Sequence, residues 1–136
     1  MKKKRVNVLK TTKKLKSKLW ILVSEFVRRS VSNKLGYGTC YTCGTIIHWK
    51  AGHCAHRYHG TLDFDIRNLK LCCVRCNKWL HGNLGEYEKR LIRENGLAWS
   101  KKLEIDAARN RGYVYKILEL EELIKVYQQK LEELNV

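Results

Sequence analysis

Apolar positions along this 136-residue chain change their spacing twice. From Leu15, the residues Leu19, Leu22, Val23, Phe26 and Val27 recur at helical intervals, which predicts a helix to about Ser32 with one stripe turned toward a core. Gly36 and Gly38 close it. Between residues 39 and 83 the helical period is absent. Short apolar pieces such as Thr45–Trp49 predict small strands there, and Val74–Leu80 predicts a short helix. Helical spacing then returns over Glu86–Glu94, about Ala98–Arg109, and Glu119–Leu134. Around the last of these, Ile117, Leu120, Ile124, Tyr127, Leu131 and Leu134 are spaced 3, 4, 3, 4, 3. This seam of about two and a half heptads either packs on its own domain or joins two copies. Residues 1–14 carry little apolar content and are expected to form a flexible basic arm. Residues 15–136 are expected to form one domain: an N-terminal helix over 15–34, a core over 39–84 and a helical tail over 85–136. The fold class expected is α+β, mainly helical.

Charge narrows the function. The chain has 28 Lys and Arg against 13 Asp and Glu, a net charge of +15. Residues 1–34 hold twelve of the cations and one acid, whereas residues 117–136 hold five acids and two lysines. A body this basic calls for a polyanionic partner, and nucleic acid is the commonest. Lys13, Lys14, Lys16 and Lys18 are the first candidates for contact with DNA. With 44% apolar residues the chain is not compositionally disordered. The longest apolar run, Leu19–Val23, is far short of the ~20 residues of a membrane span. The basic start leads into more lysines, not into the apolar segment of a signal peptide, so the expected compartment is the cytoplasm.

A reducing compartment changes how the six cysteines are read. Cys40-Tyr-Thr-Cys43 and Cys73-Val-Arg-Cys76 are two Cys-x-x-Cys knuckles, and four thiolates at tetrahedral reach close a structural zinc site. Gly44 suits the turn after Cys43. Cys72 is a competing ligand but fits the knuckle less well; Cys54 and Cys72 otherwise read as small buried residues. A redox role is weak without a βαβ pattern. The 29 residues between Cys43 and Cys73 exceed the common ribbon spacing and carry His53, His56, Arg57, His59, Asp63, Asp65 and Asn68, with Asn77 and His81 just beyond.

His53, Asn68, Asn77 and His81, separated by fifteen, nine and four residues, resemble the HNH, or ββα-metal, nucleases. The string Asn68-Leu-Lys-Leu-Cys72-Cys73-Val-Arg-Cys76-Asn77 is similar to the zinc-bearing branch of that family. A wider resemblance, to the phage NinG/Rap recombination proteins, runs through Leu19-Trp20, Ser24–Arg28, Cys40–Gly44, His48-Trp-Lys-Ala-Gly-His53, Asp65-x-Arg67-Asn68, Gly82-Asn83-Leu84-x-Glu86-Tyr87 and Glu121–Tyr127. The zinc and loop layout also resembles the dimeric phage resolvase endonuclease VII.

These resemblances imply a zinc-stapled ββα-metal (HNH) core and a metal-dependent, structure-specific DNA endonuclease of a phage. Its expected substrates are branched recombination intermediates such as Holliday junctions and D-loops, in the cytoplasm of a bacterial host. By resemblance His53 is the general base, Asn68 holds the loop, and Asn77 and His81 bind one catalytic Mg²⁺ or Mn²⁺. Many HNH enzymes carry Asp or His just before the base, where this chain has Gly52. Asp65, ahead of His56 and His59, is the expected ligand to complete that shell, because a carboxylate suits Mg²⁺. Arg57 or Arg75 would neutralise phosphate charge. Opposed cuts require two sites, so a homodimer is expected. The alternatives are a non-catalytic zinc-stapled DNA-binding module and a sequence-preferring HNH nicking endonuclease.

Overall fold

The computed structural model describes residues 2–135. It is α+β and mainly helical: α1 (Lys2–Ser30), β1 (Tyr37–Thr39), β2 (Ile46–His48), β3 (His53–His56), β4 (Leu69–Cys72), α2 (Leu84–Asn95), α3 (Leu97–Arg109) and α4 (Ile117–Leu134). A 3₁₀ turn, Ile66–Asn68, precedes β4, and one π-type turn, Arg75–Trp79, follows it. The predicted helices of the tail are each found within two residues of their expected bounds. No helix of the described residues is long and apolar enough to cross a membrane.

α1 differs from its expected start. The sequence predicts an arm up to residue 14 and a helix from Leu15; the helix already begins at Lys2. Lysines and leucine are good helix formers and no Gly or Pro stands before Gly36, so the turns seeded by the packed half continue into residues that are themselves exposed.

The chain divides into two compact units. One comprises residues up to Phe26 together with those from Val114. Here Leu19 and Val23 of α1 and Leu120, Ile124, Tyr127 and Leu131 of α4 are buried. Phe26 meets Tyr127 edge-on at 5.6 Å. The Leu120–Leu131 part of the seam is therefore buried within the chain.

The second unit is Val27–Tyr113. Its two antiparallel pairs are β1–β2, with Tyr37 opposite His48, and β3–β4, with His53 opposite Cys72 and His56 opposite Leu69. The core gathers Cys40, Tyr41, Ala55, Leu62, Cys72, Cys76, Tyr87, Leu91, Leu103 and Ala107. Backbone links tie the pairs together: the Tyr41 N–H donates to Leu71 O at 2.8 Å. The fully buried Tyr87 of α2 donates its hydroxyl to Ala55 O at 3.1 Å. Thr61 donates to Ala107 O at 2.7 Å, joining the β3–β4 loop to α3.

Candidate functional site

Cys40 and Cys43 lie in the loop that joins β1 to β2, and Cys73 and Cys76 lie just after β4. Their four sulfurs are all within 4.8 Å of one another. Among the described residues this is the one group of three or more His, Cys, Asp or Glu side chains gathered so closely. Cys43 Sγ and Cys73 Sγ are 3.7 Å apart. Thiolates bound tetrahedrally at ~2.3 Å from zinc would be about 3.8 Å apart, so the four cysteines can bind a structural zinc. Gly44 takes φ +78° after the first knuckle, a backbone that a side chain disfavours.

Hydrogen-bond donors surround the sulfurs. Thr42 and Cys40 are 3.4 Å apart, Thr45 and Cys43 3.1 Å, and the Asn83 amide donates to Cys76 at 3.6 Å. Burial pushes the Cys40 thiol up, but the Thr42 hydroxyl and the backbone N–H groups of Cys73, Cys43 and Thr42 outweigh it and bring it to about 6. The Thr45 hydroxyl draws Cys43 down as well. Cys73 is pushed up to about 12, chiefly by burial and then by the neighbouring thiols. Four sulfurs crowded round one point resist carrying four negative charges unless a cation joins them. Cys72 faces the core, and its thiol is raised by burial and then by Cys40, so it behaves as a packing residue. Thr42, Thr45 and Asn83 were not singled out in the sequence; a hydroxyl two residues after each cysteine of the first knuckle was the available signal.

Directly beyond this cluster lies the second constellation. His53 opens β3 and pairs in register with Cys72, while Asn77 sits in the turn braced by its own N–H to Cys73 O at 3.0 Å. Asn77 Nδ2 and His53 Nδ1 are 3.0 Å apart. With the amide donating, Nδ1 is the accepting nitrogen of the ring. Both side chains are half-buried.

Asn68 is fully buried. Its Oδ1 accepts the Tyr58 N–H at 2.8 Å, and its Nδ2 donates to the carbonyls of Tyr58, Thr61 and Leu62 at 2.9, 3.3 and 3.2 Å. One amide thus closes the 57–68 loop, including Leu62 with its left-handed φ of +48°.

The other expected residues are placed differently. Asp65 caps the 3₁₀ turn by accepting the Arg67 N–H, and both of its oxygens receive the Arg67 guanidinium, at 2.6 Å in the shortest contact. Its carboxylate is thus ion-paired with Arg67. His56 lies three residues from His53 on a strand, hence on the opposite face; burial lowers its pKa, and its ring is 5.6 Å from that of His59. His81 is exposed at φ +50°. A Cβ on Gly52 would stand 2.5 Å from Leu71 Cδ1 and 3.0 Å from Ile47 Cδ1, so a side chain here would require those side-chain ends to shift. Arg57 pairs with Glu88 at 2.8 Å and lies over the Tyr58 ring, whereas Arg75 is exposed on the turn that carries Asn77. Of the α1 lysines, Lys13, Lys14 and Lys18 are exposed, and Lys16 lies 5.3 Å over Tyr115.

The family described as Bacteriophage Lambda NinG protein matches residues 1–136. Over 103 residues the chain is 37% identical to "Protein ninG" of Salmonella phage P22, covering 71% of this chain and 47% of that one. It is 35% identical over the same length to the proteins of that name in Escherichia phage 933W and Escherichia phage lambda. The chain thus matches about half the length of these relatives. No solved structure matches. From a family match that spans every residue, and from phage relatives above 30% identity, we conclude that this chain belongs to the NinG family.

Proposed function

We propose that the chain is an HNH-type endodeoxyribonuclease that hydrolyses phosphodiester bonds in branched DNA, such as Holliday junctions and D-loops, during phage recombination. The observation that carries this reading is the 3.0 Å contact between His53 Nδ1 and Asn77. It is set on two antiparallel strands followed by a helical turn, the order of a ββα-metal core.

The chain's own groups suggest the division of work. His53 Nδ1, on which the Asn77 amide rests, would take the proton from the attacking water once that amide turns away from it, a task a neutral imidazole performs near pH 7. Asn68 keeps the loop after β3 in place, and so is a positioning residue. Arg75 is the exposed guanidinium beside Asn77 in sequence and would meet phosphate charge. A Mg²⁺ or Mn²⁺ ion would be held by the Asn77 amide oxygen and His81, with substrate phosphate completing its shell. It would neutralise charge on the phosphate and the departing oxygen. Without the Asp65 carboxylate this donor set is thin, so cleavage should need roughly millimolar free ion. Cutting opposed strands calls for a homodimer.

The test uses zinc-loaded full chain on synthetic four-way junctions and D-loops with Mg²⁺ or Mn²⁺. Cleavage is expected, with His53→Ala lowering its rate by about 10²–10⁴-fold while DNA binding persists. Uncut junctions, or a His53→Ala protein as active as the parent, would defeat the reading. Tight, salt-sensitive binding without cleavage would instead identify a zinc-stapled DNA-binding module, which the ion-paired Asp65 carboxylate favours. Cleavage at defined duplex sites, indifferent to branches, would identify a nicking enzyme.

A further inference from the structure

Of the four tryptophans, Trp79 alone is in the exposed class, at 69%. It ends the π-type turn Arg75–Trp79, which lies between the second knuckle and α2. Backbone bonds brace that turn: the Leu80 N–H donates to Arg75 O at 2.9 Å, and the Gly82 N–H to Cys76 O at 2.8 Å. His81, Gly82 and Asn83 then take left-handed φ of +50°, +94° and +48°, so the chain turns sharply just after the ring. The indole thus stands on a braced corner and not on a loose loop. Lys78 Nζ lies 5.5 Å from the ring centre, and Arg75 is four residues back in the same turn, hence on the same side of it as Trp79. Neither cation is in an ion pair among the described residues. The nearest acids in sequence are committed elsewhere, Asp65 to Arg67 at 2.6 Å and Glu86 to Lys89 at 3.3 Å.

A single exposed apolar side chain is ordinary on a protein surface. The company of two cations sets this one apart. The centre of a protein interface is depleted of lysine, and a second copy packed patch to patch would bring the same cations face to face. A nucleic-acid base offers the opposite match: a π face for the indole and a phosphate on either side for the cations. In continuous duplex both faces of every base pair are covered by their neighbours. A free face is presented where the stack is interrupted, as at the centre of a junction or the edge of a D-loop. A fixed indole can therefore sense that interruption, which contacts to phosphate alone cannot.

We propose that Trp79 stacks on a base exposed at a branch point of DNA while Arg75 and Lys78 meet the phosphates beside it, which makes Trp79 the residue that favours branched over continuous DNA. The proposal rests on the chain acting on branched DNA, but not on its cutting that DNA. Every base has a π face, so stacking selects shape and not sequence. Stacking also releases no counterions, whereas the two cations do.

The test is fluorescence anisotropy of a labelled four-way junction, and of a duplex as long as two of its arms, with the zinc-loaded full chain, without Mg²⁺, over a series of NaCl concentrations. Trp79→Ala is expected to weaken junction binding by about 5–150-fold and duplex binding by less than about twofold. The slope of log K against log[NaCl] should stay at the parent value. Trp79→Phe, which keeps a π face, should recover most of the loss. Arg75→Ala with Lys78→Ala should instead flatten the junction slope by roughly 0.9 for each phosphate contact removed. A 2-aminopurine at the branch should be dimmer in complex with the parent than with Trp79→Ala. The control Ile105→Ala removes an exposed apolar side chain from α3 and should change none of these readings. Zinc content and melting temperature should match the parent throughout, because every altered side chain is exposed. Junction binding by Trp79→Ala equal to the parent's, an equal loss on duplex and junction, or a parent dimer that Trp79→Ala separates would each overturn the proposal. A parent that binds no junction would overturn it together with the proposed function. Junctions bound with the Trp79-dependent preference but left uncut would defeat the nuclease reading and leave this contact standing.

Discussion

The two strand pairs of the Val27–Tyr113 unit hold their loops by different chemistry. β1 and β2 are joined by residues 40–45, where Cys40 and Cys43 meet the second knuckle. β3 and β4 are joined by residues 57–68, a longer loop with no metal-binding cluster among its described residues, gathered instead round the Asn68 amide. Strands of three and four residues bury little surface of their own, so each loop needs a fixed point to set the register of its pair. A metal bound by the four cysteines would supply it in the first case through ligands distant in sequence, and a buried amide supplies it in the second through neighbouring carbonyls. The metal end therefore serves the whole unit, whereas the amide end serves one loop.

The largest effect should come from the metal end. Removing zinc by chelation, or replacing Cys43 by Ser, leaves crowded sulfurs without their cation and should cost at least about 4 kcal/mol. At ~4–8 °C per kcal/mol for a domain of this size, the melting temperature should fall by more than about 15 °C. One zinc per chain by metal analysis, with loss of the melting transition on its removal, is the expected pattern. A chelated chain that melts unchanged would remove the distinction between the two loops.

Next comes the amide. Asn68→Ala removes one acceptor and the donor that serves three carbonyls, leaving the Tyr58 N–H and those oxygens without their partner; about 3 kcal/mol is expected. Asn68→Asp keeps the acceptor but turns an oxygen toward the three carbonyls, so it should be no more stable than Asn68→Ala. Denaturant melts give the energies, and faster hydrogen exchange at Tyr58 with zinc retained would confine the damage to this loop. A loss below about 1 kcal/mol would mean that the loop is held by other groups.

These two anchors were unequally visible in the sequence. The cysteine pairs and Gly44 announce a knuckle because metal ligation fixes both residue type and spacing. The helices were visible because the apolar spacing of Leu19, Val23, Leu120, Ile124 and Leu131 is the packing itself. β1, β3 and β4 were not, since three or four residues are too few to show an alternating pattern. Asn68 was assigned a loop-holding task only through resemblance, and the structure supplies the bonds. The Asp65–Arg67 ion pair was not visible, because a carboxylate two residues from an arginine reads equally as metal ligand or ion pair.

The smallest effect concerns the far end of the second loop, where Arg67 joins Asp65 to Asp106 at 2.9 Å. The Arg67 hydrogen bond, with Lys102 adding to it, holds the Asp106 carboxyl below its ordinary value of 3.8. The unfolded chain therefore takes up this proton first as acidity rises. The stabilisation is complete above about pH 4 and is lost as pH falls through the lower, folded value. Asp106→Asn should melt slightly below the parent, by the same margin throughout pH 5–8, where the carboxylate stays charged in both states. Below pH 4 the margin should close, on a background of zinc release as cysteines protonate in both proteins alike. A margin that changes between pH 5 and 8 would show that Asp106 is not what couples this loop to α3. The buried Thr61 hydroxyl on Ala107 O would then be the stronger tie, and the second loop would be held by uncharged hydrogen bonds throughout.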